Sequence, residues 1–277
     1  MMRDGWVRDA MRGLLLATLL CGAVWSVAQA QGRPNDFGRS SSTAGAGTDE
    51  ESDSAKRARI RLDLAGAYFS EGRFDNALSE VKLALAADPN LPQALNLQGL
   101  VLAALGEEQK AEDSFKRALQ LASTDGDVMH NYGWFLCQRG RYPEAGKLFE
   151  RAVATPQYRT PNRTFLVQGI CEARAGQLDL AELTLKRAYE LEPANPAIAM
   201  NLADVLYRRG EYERARFYVR RVNNNAELRS AETLWLAARI ENRLANPQGV
   251  RDLGNQLRAS YPTSREAASF ERGMFDE

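Results

Sequence analysis

The residues of this chain best suited to chemistry are few: one histidine and three cysteines among 277 residues. His130 and Cys137 lie seven residues apart, so on a helix they share a face two turns apart. A thiolate and its base must be in hydrogen-bond reach, so this pair would need a third group from elsewhere. A lone histidine excludes multi-histidine metal sites. No Gly-x-Ser-x-Gly, phosphate-loop or Gly-x-Gly-x-x-Gly motif is present. The expectation is a protein with no catalytic, cofactor or metal site. Lys plus Arg and Asp plus Glu are equal at 36 each, so no basic excess attracts nucleic acid.

The cysteines belong to a different chemistry, set by the N-terminus. Arg3, Arg8 and Arg12 precede an apolar run from Leu14 to Val24, too short to cross a bilayer comfortably. Val27-Ala28-Gln29-Ala30 then ends on small residues at the first and third positions before a cut. This predicts a secretory signal peptide over 1–30, with an uncleaved anchor as the alternative. Cys21 is a candidate for lipidation, disfavoured because the bulky Leu20 precedes it where a lipoprotein signal has a small residue. Residues 31–54 are rich in Gly, Ser, Thr and acids and read as a disordered linker.

From about Ala55 the sequence repeats itself. Ala77, Ala111, Ala145, Ala181 and Ala215 recur at intervals of 34, 34, 36 and 34. Seven residues on stand Ala84, Ala118, Ala152, Ala188 and Val222; between the two columns stand Val81, Phe115, Phe149, Leu185 and Val219. Five residues before the first column is Gly72, Gly106, Gly140, Gly176 or Gly210, where a helix must end and the chain reverse. Twelve before it is a small residue, Ala65, Gly99, Gly133, Gly169 or Ala203, which lets paired helices approach. A sixth unit keeps Leu236 and Ala237 but loses its glycine at Leu244 and has a poorly fitting second helix. Pro89, Pro193 and Pro262 follow second helices. The two-residue excess falls at Thr155–Pro161, predicting a longer loop between units three and four.

These columns resemble the tetratricopeptide repeat. The expected fold is all-α, a superhelical solenoid of six helix-turn-helix repeats over 55–262, with a tail at 263–277. In repeats of this kind, positions two, five, nine and twelve of each first helix line a groove. That rule places Leu100, His130, Trp134, Leu166, Ile170, Met200, Asp204 and Tyr207 there, with Trp134 as the leading anchor. Cys137 and Cys171 fall at neighbouring heights on adjacent first helices, which makes them the disulfide candidate of an exported chain.

Unit three carries His130-Asn131-Tyr132-Gly133-Trp134-Phe135-Leu136-Cys137, then Gly140-Arg141-Tyr142 and Glu144-Ala145; unit four has Gly169-Ile170-Cys171. With these motifs the chain resembles the type IV pilus biogenesis/stability family, PilF/PilW. The resemblance implies an envelope adaptor whose partner is the secretin subunit of the pilus outer-membrane pore, assisting its assembly, localisation or stability. It implies a periplasmic place, with outer-membrane association, and leaves room for other pilus-assembly partners. The alternative is a general envelope scaffold for another export or cell-wall assembly machine, separable by scoring pili and twitching after gene deletion.

Overall fold

The computed structural model describes residues 53–275; the leader, Cys21 and the predicted linker up to residue 52 lie outside the described residues. All regular structure among the described residues is helical. The chain divides into two compact parts at Asp88 and Pro89. In the first, α1 (Asp53–Ser70) and α2 (Phe74–Ala87) form a hairpin. Helix α1 begins inside the last two residues assigned to the linker. Its Ala58 and Ala65 and α2's Ala77, Val81 and Ala84 are buried.

The second part is a run of hairpins: α3 (Pro92–Ala104) with α4 (Glu108–Leu121), α5 (Gly126–Gln138) with α6 (Tyr142–Ala154), and α7 (Pro161–Arg174) with α8 (Leu178–Leu191). Then follow α9 (Pro196–Arg208) with α10 (Tyr212–Asn223), α11 (Ala231–Arg243) with α12 (Pro247–Ser260), and a short α13 (Arg265–Glu271). First helices α3, α5, α7, α9 and α11 stack in order, each against the next.

Local chemistry fixes the boundaries. The column glycines, Gly72 to Gly210, take φ between 73° and 80°, which a Cβ would oppose. In unit six the left-handed residue is Ala245, φ 53°, one position beyond the expected Leu244. The misfit seen in the sequence is thus a one-residue shift of the turn, and α12 forms regardless. Asp125 and Asn195 cap α5 and α9 through their side chains, and Ser230 closes a capping box with Thr233 on α11.

Packing inside each hairpin follows a volume match at a spacing of 16 residues. Where the second helix offers Phe115, Phe149 or Leu185, the first offers Gly99, Gly133 or Gly169. A Cβ on those glycines would meet the facing ring or leucine at 2.7, 2.7 and 2.5 Å, inside contact distance. Where the second helix has only Val81 or Val219, the first has Ala65 or Ala203. Each pair therefore fills the gap without overpacking.

The predicted tail is in part a further half-repeat. Ser264, 34 residues after Ser230, caps α13, which packs on α11 and α12 and buries Ala267. Helix α13 thus covers the end of the array where a seventh first helix would stand, as terminal caps of repeat arrays do.

Candidate protein-binding face

Stacking of first helices brings residues 34 to 36 apart in sequence into rows. Leu100, Trp134, Ile170 and Asp204 occupy equivalent positions on α3, α5, α7 and α9, and all four are partly exposed, as is Met200. Trp134 lies under the Arg174 guanidinium, 5.1 Å from its carbon to the ring centre. Burial lowers the Arg174 pKa, and among the described residues no carboxylate pairs with it. A partly desolvated cation on an indole face is a ready seat for an acidic or carbonyl group of a ligand. One unit on, Arg208 donates to the Ala173 carbonyl at 2.9 Å and lies 3.8 Å from Asp204. Asp204 remains open to solvent at its tip, yet burial among its neighbours raises its pKa, with Arg208 and Arg239 pulling the other way. The face is thus apolar from Leu100 to Ile170 and gains charged groups at Arg174, Asp204 and Arg208.

Three residues expected to line the groove are buried. His130 is 2% exposed; its Nδ1 is 2.8 Å from the Thr164 hydroxyl, and its ring meets Phe149 edge-on. Burial, with the nearby Arg163 charge, pushes its pKa down to about 3, so it is a neutral core residue at physiological pH. Leu166 is buried in the core of units four to six. Tyr207 is buried too, in that same core, with Arg239 over its ring and its hydroxyl donating to the Phe275 carbonyl. The position rule gives the direction of a side chain from its helix; it is silent about what lies over it.

The structure joins Cys137 to Cys171 as a disulfide, with Cα atoms 5.8 Å apart, tying α5 to α7. With Cys137 held by Cys171 and His130 by Thr164, these two residues do not form the nucleophile–base pair their spacing raised. Among the described residues no group of three or more His, Cys, Asp or Glu could hold a metal ion, and no helix is long and apolar enough to cross a membrane.

Sequence reasoning missed the part played by the long loop. Tyr158 lays its ring over Gly126 at the start of α5 and places its hydroxyl 2.6 Å from the Thr164 hydroxyl. A chain Tyr158–Thr164–His130 thereby links loop, α7 and α5. The two-residue excess signalled a loop, but nothing in its composition signalled where its tyrosine would dock.

Comparison with known proteins agrees with this architecture. Sequence profiles of the tetratricopeptide repeat match residues 28–92, 62–126, 127–155 and 172–240. The crystal structure of PilW, a widely conserved type IV pilus biogenesis factor, superposes with a TM-score of 0.73 at 32% identity, over 76% of this chain and 97% of PilW. The type IV pilus assembly protein PilF of Pseudomonas aeruginosa is 28% identical over 224 residues, 81% of this chain and 88% of PilF. The solved structure of that organism's PilF superposes with a TM-score of 0.69 at 25% identity, over 80% of this chain and all of the other. The chain therefore belongs to the family of type IV pilus biogenesis tetratricopeptide-repeat proteins that includes PilW and PilF.

Proposed function

We propose that this protein is a non-catalytic adaptor that holds a segment of the pilus secretin subunit on the first-helix face of units three to five. Its task is to assist secretin assembly, localisation or stability from the periplasm or the inner side of the outer membrane. The observation that carries this reading is the partly exposed Trp134 under Arg174, a cation without a carboxylate partner among the described residues. A rigid aromatic beside an unspent charge, with Leu100 and Ile170 at the equivalent positions of the adjacent first helices, matches how interface anchors are built. The signal-peptide pattern supports export, and family membership supports a place in pilus biogenesis.

Secretin capture from envelope extracts tests the reading. Trp134→Ala should weaken capture at least about tenfold, the effect of truncating a central interface aromatic. Thermal melting must accompany it, because part of the indole is buried. Met200→Ala, two first helices further along on α9, supplies a second probe with a smaller packing change. Wild-type capture by both well-folded variants would remove the site from this face, and failure of the wild-type chain to retain secretin would remove the partner.

A further inference from the structure

After α13 the chain turns back on the array. Gly273 takes φ 69°, Met274 N–H donates to the Ser269 carbonyl at 3.0 Å, and Phe275 comes to rest on α11. Its ring centre lies 5.2 Å from that of Trp235 and 5.6 Å from that of Phe270. Its carbonyl accepts hydrogen bonds from the Tyr207 hydroxyl at 3.3 Å and from Arg239 Nε at 3.2 Å. Arg239 is itself held in place by the Tyr207 ring, 4.6 Å below its guanidinium carbon.

Two features of this arrangement are those of a recognition site. The contacts read one aromatic side chain and the main-chain carbonyl of the same residue, a combination that any chain segment with an exposed aromatic can present. The occupant is also held lightly: Met274 and Phe275 are only partly buried, and α13 behind them is seven residues long with Ala267 as its one buried residue. Segments with so few buried contacts open at low cost. Tyr207, by contrast, stands on a full helix at a groove position of unit five, and Trp235 and Arg239 on the next first helix, so the seat is built on the stacked helices of the array.

We propose that Tyr207, Trp235 and Arg239 form a docking seat for a partner peptide segment that presents an aromatic side chain, and that the chain's own Met274–Phe275 fills this seat until such a segment displaces it. The proposal goes beyond the Trp134 reading and stands whichever protein that face takes.

The probe is a labelled peptide of sequence Arg-Gly-Met-Phe-Asp-Glu, residues 272–277 of this chain. It is titrated into the full chain and into Phe275→Ala, with anisotropy and Trp fluorescence as readouts. A tethered occupant competes at an effective concentration in the millimolar range, so Phe275→Ala should bind the peptide at least about tenfold more tightly than the wild type. A peptide with Ala in place of Phe should not bind. Tyr207→Phe in the Phe275→Ala chain keeps the ring, loses the donor to the carbonyl, and should weaken binding severalfold. Equal affinity of the wild type and Phe275→Ala would overturn the proposal. So would absence of binding to a Phe275→Ala chain that melts as the wild type does.

Discussion

Gly126 and Tyr158 meet across a junction that neither residue announces alone. Gly126 opens α5 directly after its Asp125 cap, and a Cβ there would stand 2.7 Å from the Tyr158 ring carbon Cγ. Alanine at this helix start would be neutral or favourable on propensity, so any loss reports the clash. Gly126→Ala should cost about 1–3 kcal/mol, the usual range for an added methylene in a packed site. In a Tyr158→Ala chain the same change should cost almost nothing, and urea unfolding of the four proteins measures the coupling. Strictly additive losses would show that ring and glycine do not touch. The column glycines were legible from the sequence because their partners recur at a fixed spacing, as in Gly99 with Phe115 and Gly133 with Phe149. Gly126 was not, since its partner comes from the one loop that breaks the period.

At the scale of elements, neighbouring hairpins are tied by glutamates sheltered between them. Glu112 on α4 accepts from the Tyr132 hydroxyl of α5 at 3.0 Å and from Arg141 at 2.8 Å, with Lys116 at 2.9 Å on its own helix. Glu182 on α8 meets Arg209 and Arg214 of unit five, and Glu241 on α11 takes Arg220 of α10 at 2.7 Å. Burial pushes the Glu112 carboxyl up, but its three donors outweigh that and bring it down to about 2. A carboxyl with a lower pKa folded than unfolded stabilises above its unfolded value near 4.5, and that stability drains away as pH falls through about 2. Glu112→Gln should therefore lower stability by about 1–3 kcal/mol from pH 5 to 8, with the deficit shrinking below pH 4. Denaturation midpoints across that range decide it; a deficit as large at pH 3 as at pH 7 would refute the assignment. The helices were readable from column positions, whereas these ties join repeats through residues outside the columns. Burial of His130 and Leu166 escaped the sequence for a related reason: helix periodicity specifies a face, and coverage of that face depends on its neighbours.

Across the second part as a whole, the junction of units three and four is built differently from the others. The position held by Glu112 in unit two and Glu182 in unit four is Gly146 in unit three, and among the described residues no ion pair joins units three and four. The inserted loop lies at the same place. The Cys137–Cys171 disulfide, Arg174 over Trp134 and the Tyr158–Thr164–His130 chain stand there instead. Arrays of repeats are held by nearest-neighbour interfaces, so the weakest junction decides whether they unfold as one body. The cysteines were identifiable as a pair from their heights on adjacent helices; that their junction lacks a glutamate tie was visible only with the ion pairs in place. Closing a loop across a separation of 34 residues stabilises by roughly 3–4 kcal/mol on the chain-entropy account. The chain with both Cys137→Ser and Cys171→Ser should lose about that much and also lose cooperativity. Hydrogen exchange would then show α7 to α13 opening at a different denaturant concentration from α3 to α6. Mass spectrometry of the unreduced wild type should find no free thiol at either position. If the double variant still unfolds in a single step with unchanged steepness, the hydrogen bonds and the Trp134–Arg174 contact suffice, and the disulfide is not what unifies the array.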